Sequence, residues 1–205
     1  MDPTPAELEH AIETAIQSGA REIILSGGDP LSLTNAQLGG LLKRLRPHFK
    51  VVRIHTRAPI TSPERVDCGL VETLTAIAPV WVVVHCNHPS ELDATARQAL
   101  QRMRKAGISI LNQSVLLKDV NDDLETLIEL SEALVENGVV PYYLHHTDPV
   151  PGNAHFRVSP KRGLALHDAM KQRLSGVALP AYVVDLPDGS GKIPVSEAHE
   201  RALIR

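Results

Sequence analysis

The chain has 205 residues, which is long enough for one domain with a sizeable hydrophobic core. Its net charge of −3 and its aromatic content of 3% argue against a protein that binds nucleic acid or a membrane surface through bulk charge or base stacking. No apolar run approaches the roughly 20 residues of a membrane-spanning helix, and the acidic N-terminal residues do not form a signal peptide. We therefore expect a cytoplasmic protein.

Helical and strand patterns alternate along the chain. Apolar periodicity predicts helices over residues 5–18, 35–46, 69–77, 91–106, 122–136 and 160–174, the last of these being the final helix. Thr34 is expected to cap the helix over 35–46. Short apolar runs predict strands over residues 22–25, 51–56, 80–85, 108–115, 139–146 and 182–185, the last of these being the final strand. Strands separated by helices of this length are typical of βαβ units with a parallel sheet.

The repeat of about 28–30 residues fits an open or closed β/α barrel, and a doubly wound sheet is the alternative. Polar residues favour the barrel because they follow successive strands, whose loops converge on one face of a barrel. We expect a single domain over residues 1–205 that begins with a helix and lacks a first strand. The polar residues in question are Asp29, Arg57, His85, Asn87, Gln113 and Asp148.

Three motifs follow predicted strands in the first part of the chain. In SGGDP (residues 26–30), two glycines expose backbone groups and Asp29 can hold an amino group, or the segment is a tight turn. In RIHTRAP (residues 53–59), Arg57 can clamp a carboxylate or form a structural salt bridge. In HCNHP (residues 85–89), His85 either contacts a ligand or is a hydrogen-bonded core histidine. The polar residues Asn112-Gln113-Ser114 interrupt another apolar strand and have the same two interpretations.

The cysteines, Cys68 and Cys86, are too few and too far apart for a zinc site or a disulfide framework. We expect each to be a buried, inert thiol.

The last motif combines a carboxylate with a lysine. The apolar run 182–184 ends at Asp185, and a loop rich in proline and glycine leads to Lys192. Lysine forms Schiff bases with carbonyls, including that of pyridoxal phosphate (PLP), although a solvated lysine on a surface turn fits the loop as well. Asp148 and Asp185 together could hold a cation such as an amino group, or act as an acid/base or metal pair.

Together these segments resemble the lysine 2,3-aminomutase family of radical S-adenosylmethionine (SAM) enzymes. The family includes the aminomutases that make β-lysine for elongation factor P. The resemblance runs through nearly the whole chain and implies an α/β fold with a partial (β/α) barrel of the radical SAM type. The segments that carry it are SGGDP, RIHTRAP, HCNHPSEL, LNQSVLLKDVND, PYYLHHTDPVPGNAHFRV and YVVDLPDGSGKIPV.

The resemblance implies interconversion of L-lysine and β-lysine with PLP, SAM and a [4Fe–4S] cluster. It further implies an electron donor such as flavodoxin or ferredoxin, and allows a homo-oligomer. Lys192 is similar to the lysine that forms the internal aldimine with PLP, and the loop around it, at about residues 180–195, resembles the free-lysine enzymes more than the elongation-factor branch. Arg57 is similar to the arginine for the substrate's α-carboxylate, and Asp148 and Asp185 to the pair for its distal ammonium. The positions that resemble SAM contacts are Ser26, Gly27, Gly28, Asp29, His85 and Gln113.

One family motif is absent from the sequence. The family binds its cluster with a C-x3-C-x2-C loop before the SGGDP-like turn, and neither Cys68 nor Cys86 matches it. We therefore expect a member that lacks the first strand and the cluster loop, and that does not cleave SAM by itself. The alternatives are a non-catalytic remnant that binds PLP or lysine, one part of a split enzyme, and a PLP enzyme that uses no radical.

Overall fold

The computed structural model describes residues 4–186, 191–201, 203 and 204. Residues 187–190 of the predicted PLP-lysine loop lie outside the described residues. The chain divides into two compact units, one formed by Met1–Val84 with Ala94–Ile110, the other by His85–Asp93 with Leu111–Arg205. The expectation of a single domain stays a prediction.

The first unit alternates helices with parallel strands. β1 pairs in parallel with β2, and β2 with β3, so that Leu25 lies opposite Ile54 and Ile54 opposite Val82. The elements, in chain order, are α1 (Pro5–Gln17), β1 (Glu22–Leu25), α2 (Asn35–Leu45), β2 (Val51–Thr56), α3 (Ala58–Thr61), α4 (Cys68–Thr75), β3 (Trp81–His85) and α5 (Ala94–Lys105).

The second unit continues the alternation and ends in an antiparallel pair of strands. Its strands β4, β5 and β6 pair in parallel, and β7 runs antiparallel to β6. The elements are β4 (Ser109–Val115, of which Leu111–Val115 belong to this unit), α6 (Leu124–Glu136), β5 (Val140–His145), α7 (Pro160–Arg173), β6 (Ala181–Asp185), β7 (Lys192–Pro194) and α8 (Val195–Glu200).

Local capping explains where several helices begin. Thr34 caps α2, and its side chain and that of Gln37 exchange hydrogen bonds with each other's backbone N–H, which forms a capping box. Asp123 and Ser159 cap α6 and α7 by accepting a backbone N–H three residues ahead. The predicted cap at Thr34 is therefore confirmed.

Two expectations about the end of the chain are wrong. The strand ending at Asp185 is not the last, because β7 follows it, and α7 is not the last helix, because α8 follows. Both missed elements are short, at three and six residues, so they offer no hydrophobic period to recognise. The helix predicted over 91–106 begins at Ala94, because Pro89–Glu91 form a separate 3-10 turn.

The core of the second unit lies between its strands and helices. Leu144, Tyr182 and Val184 are buried against side chains from α6, α7 and α8. Since side chains alternate along a strand, the residues between them face away from these helices. The face of β5 and β6 that points away from α6, α7 and α8, here named the helix-free face, therefore carries His145 and Asp185.

Candidate functional site

The helix-free face of the second unit collects polar side chains at the strand ends. Cα pairing places Gln113 of β4 opposite Tyr143 of β5, two residues before His145. Asp185, the last residue of β6, lies opposite Lys192, the first residue of β7. Residues paired across strands share a face, so the register alone brings Gln113, His145, Asp185 and Lys192 to one side of the sheet.

Lys192 and Asp185 form an ion pair on this face. The Lys192 ammonium Nζ donates to Asp185 Oδ1 at 2.9 Å. Their side chains are 36% and 40% exposed, so both groups are within reach of a ligand. An exposed pair of this kind contributes little to stability, typically about 0.2–1 kcal/mol.

His145 lies behind the ion pair and is largely buried. Its Nδ1 is 3.5 Å from Asp185 Oδ2, and its side chain is 13% exposed. Burial and, to a smaller extent, the positive charge of Lys192 lower the pKa of His145 to about 4, against the opposing effect of Asp185. The imidazole is therefore neutral at pH 7. Its Nε2 is buried without a hydrogen-bond partner among the described residues.

Sequence reasoning did not single out His145. The feature that could have identified it is its position as the last residue of β5, which pairs with the strand that ends at Asp185.

His85 and Gln113 contact each other in the same unit. The Gln113 amide Nε2 lies 3.2 Å from His85 Nε2 and 3.5 Å from Nδ1. Both side chains are half-buried. The charge of His85 also contributes to the low pKa of His145, which places the two histidines within electrostatic range of each other.

Asp148 belongs to the same electrostatic group. It is exposed and lies in the loop after β5. Partial burial raises its pKa, the negative charge of Asp185 raises it further, and Lys192 opposes the shift. Two carboxylates and one ammonium thus influence one another at the strand ends, which is an arrangement that favours binding of a cation.

A buried polar network anchors the segment that carries His85. Asn112 Oδ1 accepts from the Cys86 N–H at 2.9 Å, and its Nδ2 donates to the Cys86 carbonyl at 3.1 Å. Ser114 Oγ donates to the same carbonyl at 2.8 Å. Asn112 and Ser114 therefore satisfy backbone groups, and of this polar triplet only Gln113 lies on the helix-free face.

The two thiols differ in environment. Cys86 is buried, so the expected burial is confirmed for it, and desolvation raises the pKa of its thiol to about 12. The same expectation is wrong for Cys68, which is exposed. Cys68 occupies the first position of α4, directly after the cap Asp67, where a helix end faces solvent.

In the first unit, Asp29 joins two of the predicted site segments. Its Oδ1 accepts from Leu31 N at 2.9 Å and from Thr56 Oγ1 at 2.6 Å. Its Oδ2 accepts from Arg57 N at 2.7 Å and from Ala58 N at 3.3 Å. These four donors use the hydrogen-bonding capacity of a carboxylate, so Asp29 ties the SGGDP turn to the start of α3.

The glycines of the SGGDP turn have left-handed backbones. Gly27 has a φ of 85° and Gly28 a φ of 55°, and nothing lies within 4 Å of where a Cβ would stand at either. Ser26, Gly27, Gly28 and the Arg57 side chain are exposed. The structure thus brings Ser26–Asp29 and Arg57 together in the first unit, and His85, Gln113, Asp148, Asp185 and Lys192 in the second, while their binding roles stay predictions.

Among residues 4–186, 191–201, 203 and 204, no group of three or more His, Cys, Asp or Glu side chains is placed to hold a metal ion. Within the same ranges, every helix is too short or too polar to span a membrane.

No protein-family model matches the chain. It is 42% identical over 177 residues to the L-lysine 2,3-aminomutase of Escherichia coli strain K12, an alignment that covers 85% of this chain and 52% of that protein. The resemblance to the lysine 2,3-aminomutase family is confirmed. The L-lysine 2,3-aminomutase of Methanococcus maripaludis is 38% identical over 197 residues, covering 95% of this chain and 46% of that aminomutase. The chain spans about half the length of the curated aminomutases that it matches.

Two solved structures have a fold similar to that of this chain. SuiB from Streptococcus suis superimposes with a TM-score of 0.65 at 16% identity, over 90% of this chain and 44% of SuiB. A radical SAM methyltransferase from Sphaerobacter thermophilus has a TM-score of 0.60 at 19% identity, over 88% of this chain and 56% of the methyltransferase. The predicted α/β fold, a partial (β/α) barrel of the radical SAM type, is confirmed.

Proposed function

We propose that this chain forms part of a lysine 2,3-aminomutase-type radical SAM enzyme that interconverts L-lysine and β-lysine. The relatives at 38–42% identity bear that name and support the reaction class. The observation that carries the proposal is the placement of the Lys192 amine on a strand-end face beside Asp185 and within the field of Asp148.

The two carboxylates define the substrate class. A lysine substrate carries a distal ammonium, which Asp148 and Asp185 attract, whereas a second carboxylate at that position would be repelled. In the first unit, Arg57 keeps the predicted role of binding the substrate's α-carboxylate through its guanidinium.

The residues fit PLP and SAM. Lys192 is partly exposed and has a primary amine that can engage an aldehyde once its ion pair opens. The open space at Gly27 and Gly28 leaves backbone groups accessible to a ligand such as SAM, which is bound in one SuiB structure. When bound, PLP would hold the migrating amino group and SAM would supply the radical that starts the shift.

The residues do not fit a [4Fe–4S] cluster. A cluster is held by thiolates, and this sequence has two cysteines, Cys68 in the first unit and the buried Cys86 in the second. We therefore derive no reaction step that requires the described residues to hold a cluster.

The chain's own contribution is binding and orientation. Asp185 and Asp148 hold the distal ammonium, and the neutral His145 supports Asp185 from its buried side. Gln113 and His85 form a contacting pair on the same unit and keep their predicted role toward SAM. The cytoplasmic location, the flavodoxin- or ferredoxin-like donor and a homo-oligomer belong to the same proposal.

The PLP assignment is tested by trapping. The folded chain is incubated with PLP, reduced with borohydride and mapped by peptide mass spectrometry. We expect the tag on Lys192 and its loss in Lys192→Arg, with Lys171→Arg as a matched control that keeps the tag. A tag at another lysine, or none in a folded sample, contradicts the cofactor role.

A second candidate is a non-catalytic remnant or one part of a split enzyme, and the absence of the cluster motif favours it. These two alternatives are distinguished by adding a polypeptide that carries a C-x3-C-x2-C segment, together with SAM and a reductant. Formation of 5′-deoxyadenosine indicates a split enzyme, whereas lysine binding without it indicates a remnant.

A further inference from the structure

The Lys192–Asp185 ion pair joins two residues to which the proposed function gives different ligands. Lys192 is assigned to the cofactor, and Asp185 to the substrate's distal ammonium. In the structure, the Lys192 ammonium itself lies on Asp185 Oδ1 at 2.9 Å. The Lys192 ammonium thus lies where the substrate's distal ammonium is expected to bind.

We propose that the Lys192 ammonium occupies the substrate's ammonium site at Asp185 when no ligand is bound. This proposal rests on the proposed function. While the Lys192 side chain is free, its ammonium competes with that of the substrate for Asp185. When the Lys192 ammonium loses a proton and the amine condenses with the cofactor's aldehyde, a C=N bond replaces the C=O bond and water leaves. Asp185 is then open to the substrate ammonium, so the cofactor binds before the substrate.

The charges around the pair support this competition. The other Asp185 oxygen faces His145 Nδ1 at 3.5 Å, and His145 is neutral at pH 7, so it does not balance the carboxylate's charge. Asp148 adds a second negative charge, and its pKa is raised by partial burial and then by repulsion from Asp185, which Lys192 opposes. Without the Lys192 ammonium, two carboxylates would attract another cation.

A purely structural salt bridge explains the geometry less well. The backbone register already pairs Val183 with Pro194, Val184 with Ile193 and Asp185 with Lys192. An exposed ion pair adds only about 0.2–1 kcal/mol to such a strand pair. A contact this weak exchanges readily with a ligand ammonium at millimolar concentration.

The experiment measures ammonium binding without any cofactor. The purified chain is titrated with 1,5-diaminopentane and with L-lysine at low ionic strength, and binding is followed by NMR chemical shifts. We expect Lys192→Met to bind about fivefold more tightly than the wild type, and Lys192→Arg to bind like it. The gain should shrink in high salt, because salt screens exposed charges.

A matched control separates this effect from a change in net charge. Lys171 pairs with Asp168 at the same 2.9 Å, with both side chains more exposed. Lys171→Met removes one positive charge elsewhere, so its affinity should equal that of the wild type. Lys192→Gln provides a second neutral variant if Lys192→Met does not fold.

Two results would contradict the proposal. The first leaves the proposed function intact, and the second contradicts its substrate assignment as well. If Lys192→Met and the wild type bind equally while Asp185→Asn abolishes binding, the ammonium site stands and the competition is refuted. If Asp185→Asn in the Lys192→Met background changes nothing, Asp185 is not the ammonium site, and the substrate assignment of the proposed function fails as well.

Discussion

At the scale of single residues, burial lowers the pKa of three histidines of the second unit. The pKa values of His145, His146 and His167 are lowered chiefly because burial removes water from the imidazolium form. His146 is further fixed by a 2.7 Å contact between its Nδ1 and the Tyr182 hydroxyl, and His167 by a contact from its Nε2 to the Pro180 carbonyl. Residue type alone does not predict any of these states, since a free histidine titrates near pH 6.5.

The low pKa of His145 predicts a pH dependence of stability. Below about pH 6.5 the unfolded chain binds a proton at this position and the native chain does not, so stability falls as the pH falls toward 4. His145 contributes about 1–3 kcal/mol to this loss. Urea unfolding at pH 7.5 and pH 4.5 should show a smaller loss for His145→Gln than for the wild type. Equal losses would contradict the buried, neutral state.

At the scale of elements, β4 has an irregular pairing with β5 and polar side chains that bond the backbone of Cys86. The register between β4 and β5 shifts at Asn112 and Gln113, which marks an irregularity in the pairing. Asn112 is 1% exposed and bonds both the N–H and the carbonyl of Cys86. The sequence showed an interrupted apolar strand, but only the structure shows which backbone groups the interruption satisfies.

Removal of the Asn112 amide should therefore destabilise the second unit. Asn112→Ala leaves the Cys86 N–H without this partner, while the Cys86 carbonyl keeps the bond from Ser114 Oγ, and a buried unpaired group costs about 1–3 kcal/mol. We expect a loss of about 1–3 kcal/mol in the free energy of unfolding, measured by urea denaturation. Asn153→Ala is the control, since Asn153 makes one bond from a half-buried loop position, to the Asp148 carbonyl. A loss no larger than that of the control would contradict the anchoring role.

At the scale of the whole molecule, the chain combines the fold of radical SAM proteins with a sequence that lacks their cluster motif. It spans about half the length of the aminomutases that it matches. Its thiols cannot substitute for the motif, because the motif supplies three cysteines and this sequence has two, of which Cys86 is buried.

Reconstitution of the chain alone should therefore fail. After anaerobic incubation with iron and sulfide, we expect far less than one [4Fe–4S] cluster per chain by iron assay, and no cluster signal by EPR after reduction. The Cys68→Ser variant should give the same background as the wild type. A stoichiometric cluster in the wild type would contradict the assignment.

The sequence by itself determined the alternation of helices and strands, most element bounds, the capping of α2 and the resemblance to the aminomutase family. These depend on local periodicity, on short-range hydrogen bonds and on ordered motifs, all of which are readable along the chain. Only the tertiary structure decided that Lys192 lies on Asp185, that His145 is buried and neutral behind them, and that Cys68 is exposed. Those properties follow from the register of β5, β6 and β7 and from burial, which depend on residues distant in sequence.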